Sequence, residues 1–181
     1  AMDGKPAGWL DVKAEMGKHL RSGTSWTRPA EASAIARQLL AWMNSDAGEN
    51  LTFAVISFYK AQADLIKKQL GRHANDEKRL RVGTVDSFQG MEFDVVFLSM
   101  VRTLPQNWNP KTNDREKQAR TLFGHLCLYN RLNVSMSRQK KLLIVAGDSD
   151  LLQGDLATEF IPGMVDFFKL CQEEGKILQC R

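Results

Sequence analysis

Apolar residues in this chain follow two patterns. Unbroken runs occupy Thr52–Ser57 (TFAVIS), Asp94–Val101 (DVVFLSMV) and Leu142–Ala146 (LLIVA), each bounded by polar or turn-forming residues. Such runs predict strands buried on both faces of a parallel sheet. Trp9–Val12 (WLDV) predicts a short first strand, and the stretch ending at Val85 a strand just ahead of the second run. Elsewhere the spacing is helical. Ala32, Ile35, Ala36, Leu39 and Met43 follow Pro29, which suits a first helical turn, and Asn44–Gly48 end the pattern. Ala61, Leu65, Ile66 and Leu70 predict the inner face of a second helix closed by Gly71. Asn133–Arg138 predicts a short helix, and Phe160, Met164, Phe167, Phe168 and Cys171 an amphipathic one with Pro162 near its start. Strands alternating with helices predict an α/β fold with a mainly parallel sheet. Residues 21–28 read as loop, and 103–122, with Pro105, Pro110 and many charges, as a long polar insert.

Between the strand ending at Val85 and the run from Asp94, the polar residues Asp86, Ser87, Gln89 and Glu92 crowd a turn closed by Gly90. The carboxyl ends of strands are where open α/β sheets bind ligands, so this turn is a site candidate. An ordinary strand–turn–strand with solvated polar residues has the same local pattern.

The length, 181 residues, suits one domain with a substantial core, and 43% apolar with 25% charged residues is a globular composition. No apolar stretch approaches a membrane span. Ala1-Met2 reads as the scar of a cleaved tag and residues 1–8 as a flexible start. Three cysteines without CxxC spacing and three scattered histidines argue against a metal site and suit a reducing, cytoplasmic compartment, or the nucleus of a eukaryote. The net charge of +4 is unevenly spread. Residues 60–81 hold seven Lys or Arg against three acids, 128–143 hold four bases and no acid, and 144–181 hold seven acids against three bases. A basic centre suits phosphate-rich partners, as it would a solvated helix face.

Three segments carry a family resemblance. TVDSFQGMEFD resembles motif V of superfamily 1 helicases, in the group of the nonsense-mediated-decay helicase and senataxin. NRLNVSMSRQKKLLIVAGD resembles their motif VI, and VISFYKAQADL their motif IV. The resemblance, best over residues 51–150, implies a three-layer RecA-like domain of the P-loop NTPase type, the second of two, with an edge strand at 9–12. The chain has no G-x-x-x-x-G-K-[ST] loop to cradle nucleotide phosphates and no strand ending in paired acids for magnesium. ATP and Mg2+ would therefore be held mainly by the first RecA-like domain, and this chain alone would not hydrolyse ATP.

By the same resemblance Arg138 is the arginine finger reaching the γ-phosphate, where a rigid guanidinium stabilises spreading charge. Glu92 meets the nucleotide, and Gly90 allows close backbone approach. Gln89 and Asp86 brace the turn or couple it to nucleic acid. Arg131 and Asn133 open motif VI, either touching ligand or pairing with the motif V acids. Tyr59 and Gln62 match motif IV, the Tyr59 ring lying against the base or simply packing. Phe58 replaces the usual proline. Ala63 stands where some relatives place a second arginine near the γ-phosphate, a charge that Lys60 would have to supply without the bidentate fork. Ser57, Thr84 and Arg102, at strand ends, are the expected contacts to single-stranded DNA or RNA, with Trp108 a further stacking candidate. The family's 5′ to 3′ polarity is implied, not readable in these residues. Rival readings are a degenerate helicase-like domain serving as a binding module, which Ala63 favours, and a UvrD/Rep-like domain, for which residues 103–122 are too short an insert.

Overall fold

In a computed structural model, which describes residue 2 and residues 4–180, the apolar runs line up side by side as a six-stranded sheet. The elements in chain order are β1 (Ala7–Asp11), β2 (Leu20–Ser22), β3 (Ser25–Thr27), α1 (Pro29–Met43), β4 (Phe53–Ser57), α2 (Lys60–Leu70) and β5 (Leu80–Thr84). They continue with β6 (Phe93–Ser99), α3 (Arg115–Phe123), α4 (Tyr129–Met136), β7 (Gln139–Gly147), α5 (Asp155–Phe160), α6 (Pro162–Glu173) and β8 (Lys176–Gln179). The sheet order is β5-β4-β6-β7-β1-β8, with every pair parallel. Helices cover both faces, giving the three-layer α/β architecture of a RecA-like domain.

Alternation along each strand shows why the runs are unbroken. Phe53 and Val55 point into a core shared with Ile35, Leu39 and Ile66 of α1 and α2. Ala54 and Ile56 point the other way, into a core with Phe88, Phe123, Leu132 and Met164. Both sides of the pleat are buried, so no position is free to be polar.

The structure departs from the pattern-based reading at several places. The first strand begins at Ala7 and lies between β7 and β8, so it is not an edge, and Ala7 and Gly8 belong to the sheet instead of a flexible start. A Cβ on Gly8 would come within 2.5 Å of the Ile144 side chain, which is why this position has none. Ala1 and Asp3, also assigned to that start, lie outside the described residues. β8 takes the edge. The 21–28 loop is largely the β2–β3 hairpin. The 103–122 insert ends in α3, where Ala119, Leu122 and Phe123 are buried and the Asp114 carboxylate accepts from the Lys117 amide at 3.1 Å. Charged neighbours diluted that three-residue apolar face. α4 starts at Tyr129, four residues before the predicted helix. On α2 the buried residues are Gln62, Ala63, Ile66 and Leu70, with Ala61 and Leu65 half-buried.

Gln62 belongs to a buried polar cluster at the carboxyl end of the sheet. Arg28 and Glu31 are both fully buried and pair at 3.3 Å. Arg28 also donates to the carbonyls of Val12, Lys13 and Gly17, at 2.5, 2.8 and 2.8 Å. Glu31 accepts from the Ser99 hydroxyl at 2.5 Å and the Val101 amide at 3.0 Å. Gln62 accepts from the Arg28 amide at 2.8 Å and donates to Ser99 Oγ at 3.1 Å. Burial pushes the Glu31 carboxyl above its ordinary range, and Arg28 opposite it pulls back. The carboxylate also fixes Val101 at φ 69°, a left-handed conformation that costs a β-branched residue about 1–2 kcal/mol. Breaking a buried, satisfied pair strands the remaining charge. Arg28→Met should accordingly lower unfolding free energy by about 3–5 kcal/mol, read as a lower midpoint in urea titration; a midpoint matching wild type contradicts this role.

Candidate functional site

β5 and β6 are both parallel to β4, so the chain leaving β5 at Thr84 must cross the height of the sheet to begin β6 at Phe93. Val85 and Phe88 are buried and seat a 3-10 turn (Val85–Phe88) on the sheet, with Phe88 meeting Phe93 edge to face at 5.8 Å. Gly83 permits the close approach, because a Cβ there would stand 2.4 Å from Ser87 Oγ. The Ser87 hydroxyl donates to the Thr84 carbonyl at 2.7 Å. Gly90 takes φ 75° with nothing within 4 Å of where a side chain would begin.

α4 runs beside this descending segment. Near its start Arg131 pairs with Asp86 at 2.9 Å, on the surface. Past its end Arg138 donates from Nε to the Val134 carbonyl at 2.9 Å and from Nη2 to Ser137 Oγ at 2.9 Å. Its Nη1 reaches the Met91 carbonyl at 3.4 Å, and the Phe93 amide donates to the Arg138 carbonyl at 2.9 Å. The half-buried guanidinium thus sits against the turn that carries Gly90 and Glu92. The expectation that the polar residues gather at the carboxyl end of β5 holds for Asp86 and Ser87 only. Met91, Glu92 and Arg138 lie at the amino ends of β6 and β7, carried there by the parallel return.

Asp94 anchors the start of β6. Its carboxylate accepts from the Thr52 amide at 3.0 Å and hydroxyl at 2.9 Å, and pairs with Lys141 at 3.0 Å. The Thr52 amide above all, with Lys141 and the Thr52 hydroxyl, holds this carboxyl at about 2.

Other predicted site residues are placed as follows. Gln89, Glu92 and Lys60 are exposed, and Thr84 is half-buried. Tyr59 is only 4% exposed, stacks on His125 at 4.8 Å and accepts the His125 amide at 3.2 Å, so its ring has no face for a base. Ser57 is fully buried, its hydroxyl accepting the Tyr59 amide at 3.2 Å. Arg102 is turned inward, donating to the Leu122 carbonyl at 3.0 Å and to the Thr121 carbonyl, with Trp26 4.8 Å away. Neither Ser57 nor Arg102 can touch a nucleic acid in this conformation. Trp108 packs against the core. Ala63 is buried and, with Lys60, lines a cleft of about 540 Å³ between α2 and β5. The pattern-based reading missed Arg28 and Glu31, although an arginine just before Pro29 and a glutamate three residues on, at a helix start, was the available signal.

With this geometry in view, a profile described as "AAA domain" matches residues 2–150. The chain belongs to this AAA-domain family. Within it the chain is the second, C-terminal RecA-like domain of a superfamily 1 helicase, the group its motifs V and VI resemble. The helicase domain is 32% identical over 152 residues to "Helicase required for RNAi-mediated heterochromatin assembly 1" of Schizosaccharomyces pombe, covering 77% of this chain and 14% of that protein. It is 35% identical over 143 residues to "RNA helicase Mov10l1" of Mus musculus, covering 77% of this chain and 11% of that one. To "DNA polymerase alpha-associated DNA helicase A" of Saccharomyces cerevisiae it is 36% identical over 105 residues, 56% of this chain and 13% of the relative. The helicase domain thus spans about a seventh or less of these relatives. No helix among its described residues is long and apolar enough to cross a membrane.

The Asp94 anchor has a pH signature. Its folded pKa lies below the ordinary 3.8, so it adds stability above that value, and the gain is lost as pH falls from about 4 through about 2. Asp94→Asn should be less stable than wild type at neutral pH, the difference closing across that acid window. Urea titrations at a series of pH values measure it; a pH-independent difference rules the anchor out.

Proposed function

We propose that this domain is the second motor half of an ATP-dependent nucleic-acid helicase or translocase and supplies its arginine finger. The observation that carries the reading is the seating of Arg138 against the Gly90–Glu92 turn, which brings motifs V and VI together at one point of the surface. Two of the three guanidinium contacts, to Val134 and Ser137, orient its plane. The third, 3.4 Å to Met91, is long for a hydrogen bond and is the one a phosphate oxygen would replace.

These residues fit an ATP shared with a first RecA-like domain. ATP supplies the phosphoryl group whose hydrolysis drives the cycle. Arg138 would hold the terminal phosphate and offset charge developing on its oxygens. Glu92 is exposed beside it, and Gly90 leaves the backbone open to close approach. Lys60 is the nearby cation on α2 where Ala63 supplies none. By the family resemblance magnesium would be held by the first domain. Closure on the first domain inserts Arg138, release follows hydrolysis, and the single strand of DNA or RNA passes between two grips. The isolated domain, with no phosphate loop, would be inactive.

In the intact protein, Arg138→Ala should reduce nucleic-acid-stimulated ATP hydrolysis by at least about 10³-fold, the scale of arginine fingers, with nucleic-acid affinity retained. Equal rates for wild type and variant would end the enzymatic reading and favour a binding module.

A further inference from the structure

α6 packs inward through Met164, Val165 and Cys171, and Phe168 meets Trp9 edge to face at 4.9 Å. On its flank, Gly163, Phe167 and Leu170 recur at i, i+4 and i+7, which aligns them on one face of the helix. Phe167 is half-buried, but Leu170 is 41% exposed, with Asp166, Lys169 and Glu173 exposed around it. Gly163 also borders an open groove of about 500 Å³, completed by Asn133, Val134, Met136 and Ser137 at the end of α4. No charged side chain lines this groove. A Cβ at Gly163 would meet only Leu132 within 4 Å, at 3.9 Å, so the groove floor is unfilled.

We propose that this groove docks a basic amphipathic helix of a protein partner. Its apolar anchors enter between Met136 and Gly163 and lie along Phe167 and Leu170, while its lysines or arginines meet Asp166, Glu173 and Glu174. The inference goes beyond the motor reading above and does not depend on it.

Charge complementarity decides the occupant. Among the described residues neither Glu173 nor Glu174 is in an ion pair, and Asp166 has only Lys169, at 3.9 Å. These acids repel the phosphates of a nucleic acid and attract a cationic side chain. They equally oppose a second copy of the chain docking α6 against α6, since acid would face acid. Asp166 and Glu173 are seven residues apart, about 10 Å along the axis, a spacing that cations two turns apart on a partner helix can match. The groove lies between two helices and offers no strand edge, which suits a helix carrying anchors at i, i+4 and i+7. Ten residues of helix set Glu173 about 15 Å from Gly163. The basic end of the partner is thereby kept away from Arg138, which bonds Ser137 at the groove.

The test is fluorescence anisotropy of two labelled helical peptides titrated with the 181-residue chain. Both carry leucines at i, i+4 and i+7; one has lysines on the flanking positions and the other glutamates. The chain's net charge is +4, so attraction without a site would favour the glutamate peptide. The lysine peptide should nevertheless bind more tightly. Leu170→Asp should weaken it roughly tenfold or more, as expected of an interface anchor. Glu173→Lys/Glu174→Lys should reverse the preference between the peptides. The control Glu49→Lys/Glu77→Lys, an equal charge change elsewhere, should stay near wild type, and unfolding midpoints confirm that every variant folds. A wild-type chain that binds neither peptide or prefers the glutamate one, or equal losses in the charge variant and its control, overturns the proposal. So does a Leu170→Asp chain that keeps the lysine peptide and loses labelled oligothymidylate, which would give the face to nucleic acid. A dimer of the wild-type chain in sedimentation equilibrium that Leu170→Asp dissociates would give the face to a second copy and overturn it too. No readout involves ATP hydrolysis, so each of these failures leaves the motor reading standing.

Discussion

Eight residues separate β5 from β6, yet the two strands run the same way. A segment of that length spans at most about 27 Å fully extended, and crossing a five-residue strand uses about 16 Å of it. The return therefore has room for one tight turn and no helix. It lies flat against the sheet, held by Val85 and Phe88, and arrives at the amino end of β6 beside the amino end of β7. There the Phe93 amide and the Arg138 carbonyl bind at 2.9 Å, joining segments 45 residues apart in sequence. Motifs V and VI are neighbours because parallel pairing leaves that return no other route.

The carboxyl end of the same sheet is governed by different physics. An arginine and a glutamate are buried there without exposure, at a desolvation cost that only complete hydrogen bonding offsets. Arg28 collects carbonyls from the segment after β1, Glu31 collects the end of β6, and Gln62 brings in α2. The cluster sets the relative positions of these elements and holds Val101 in a conformation it would otherwise avoid. Arg102, the next residue, is thereby directed inward toward Trp26 and the α3 carbonyls.

That inward turn marks the limit of what the sequence made legible. Long apolar runs declared β4, β6 and β7 because their burial on two faces leaves no ambiguity, and the helical spacings declared α1, α2 and α6. Short elements were hidden. β2, β3 and β8 have three or four residues each and no run to betray them, and α3 conceals three buried positions among charges. Within the candidate site, the motifs pointed to Arg138, Gly90 and Glu92, and the parallel return sets the segments that carry them side by side. Ser57 and Arg102 were assigned outward, and Tyr59 was left either to meet a base or to pack, because a residue at a strand end can face either way. For Tyr59 and Arg102 the direction is decided by partners distant in sequence, His125 and Leu122, whereas the Ser57 hydroxyl is held by the nearby Tyr59 amide.

The sheet never closes on itself, so β5 and β8 each expose a row of backbone groups on one side. An open border of that kind invites another chain to add itself as a further strand. Here both borders are short, five and four residues, and each carries a cation, Arg81 on one and Lys176 on the other. Two copies approaching border to border at β5 would set like charges against each other before any backbone bond formed. The charge on these borders would help to keep this domain from self-association.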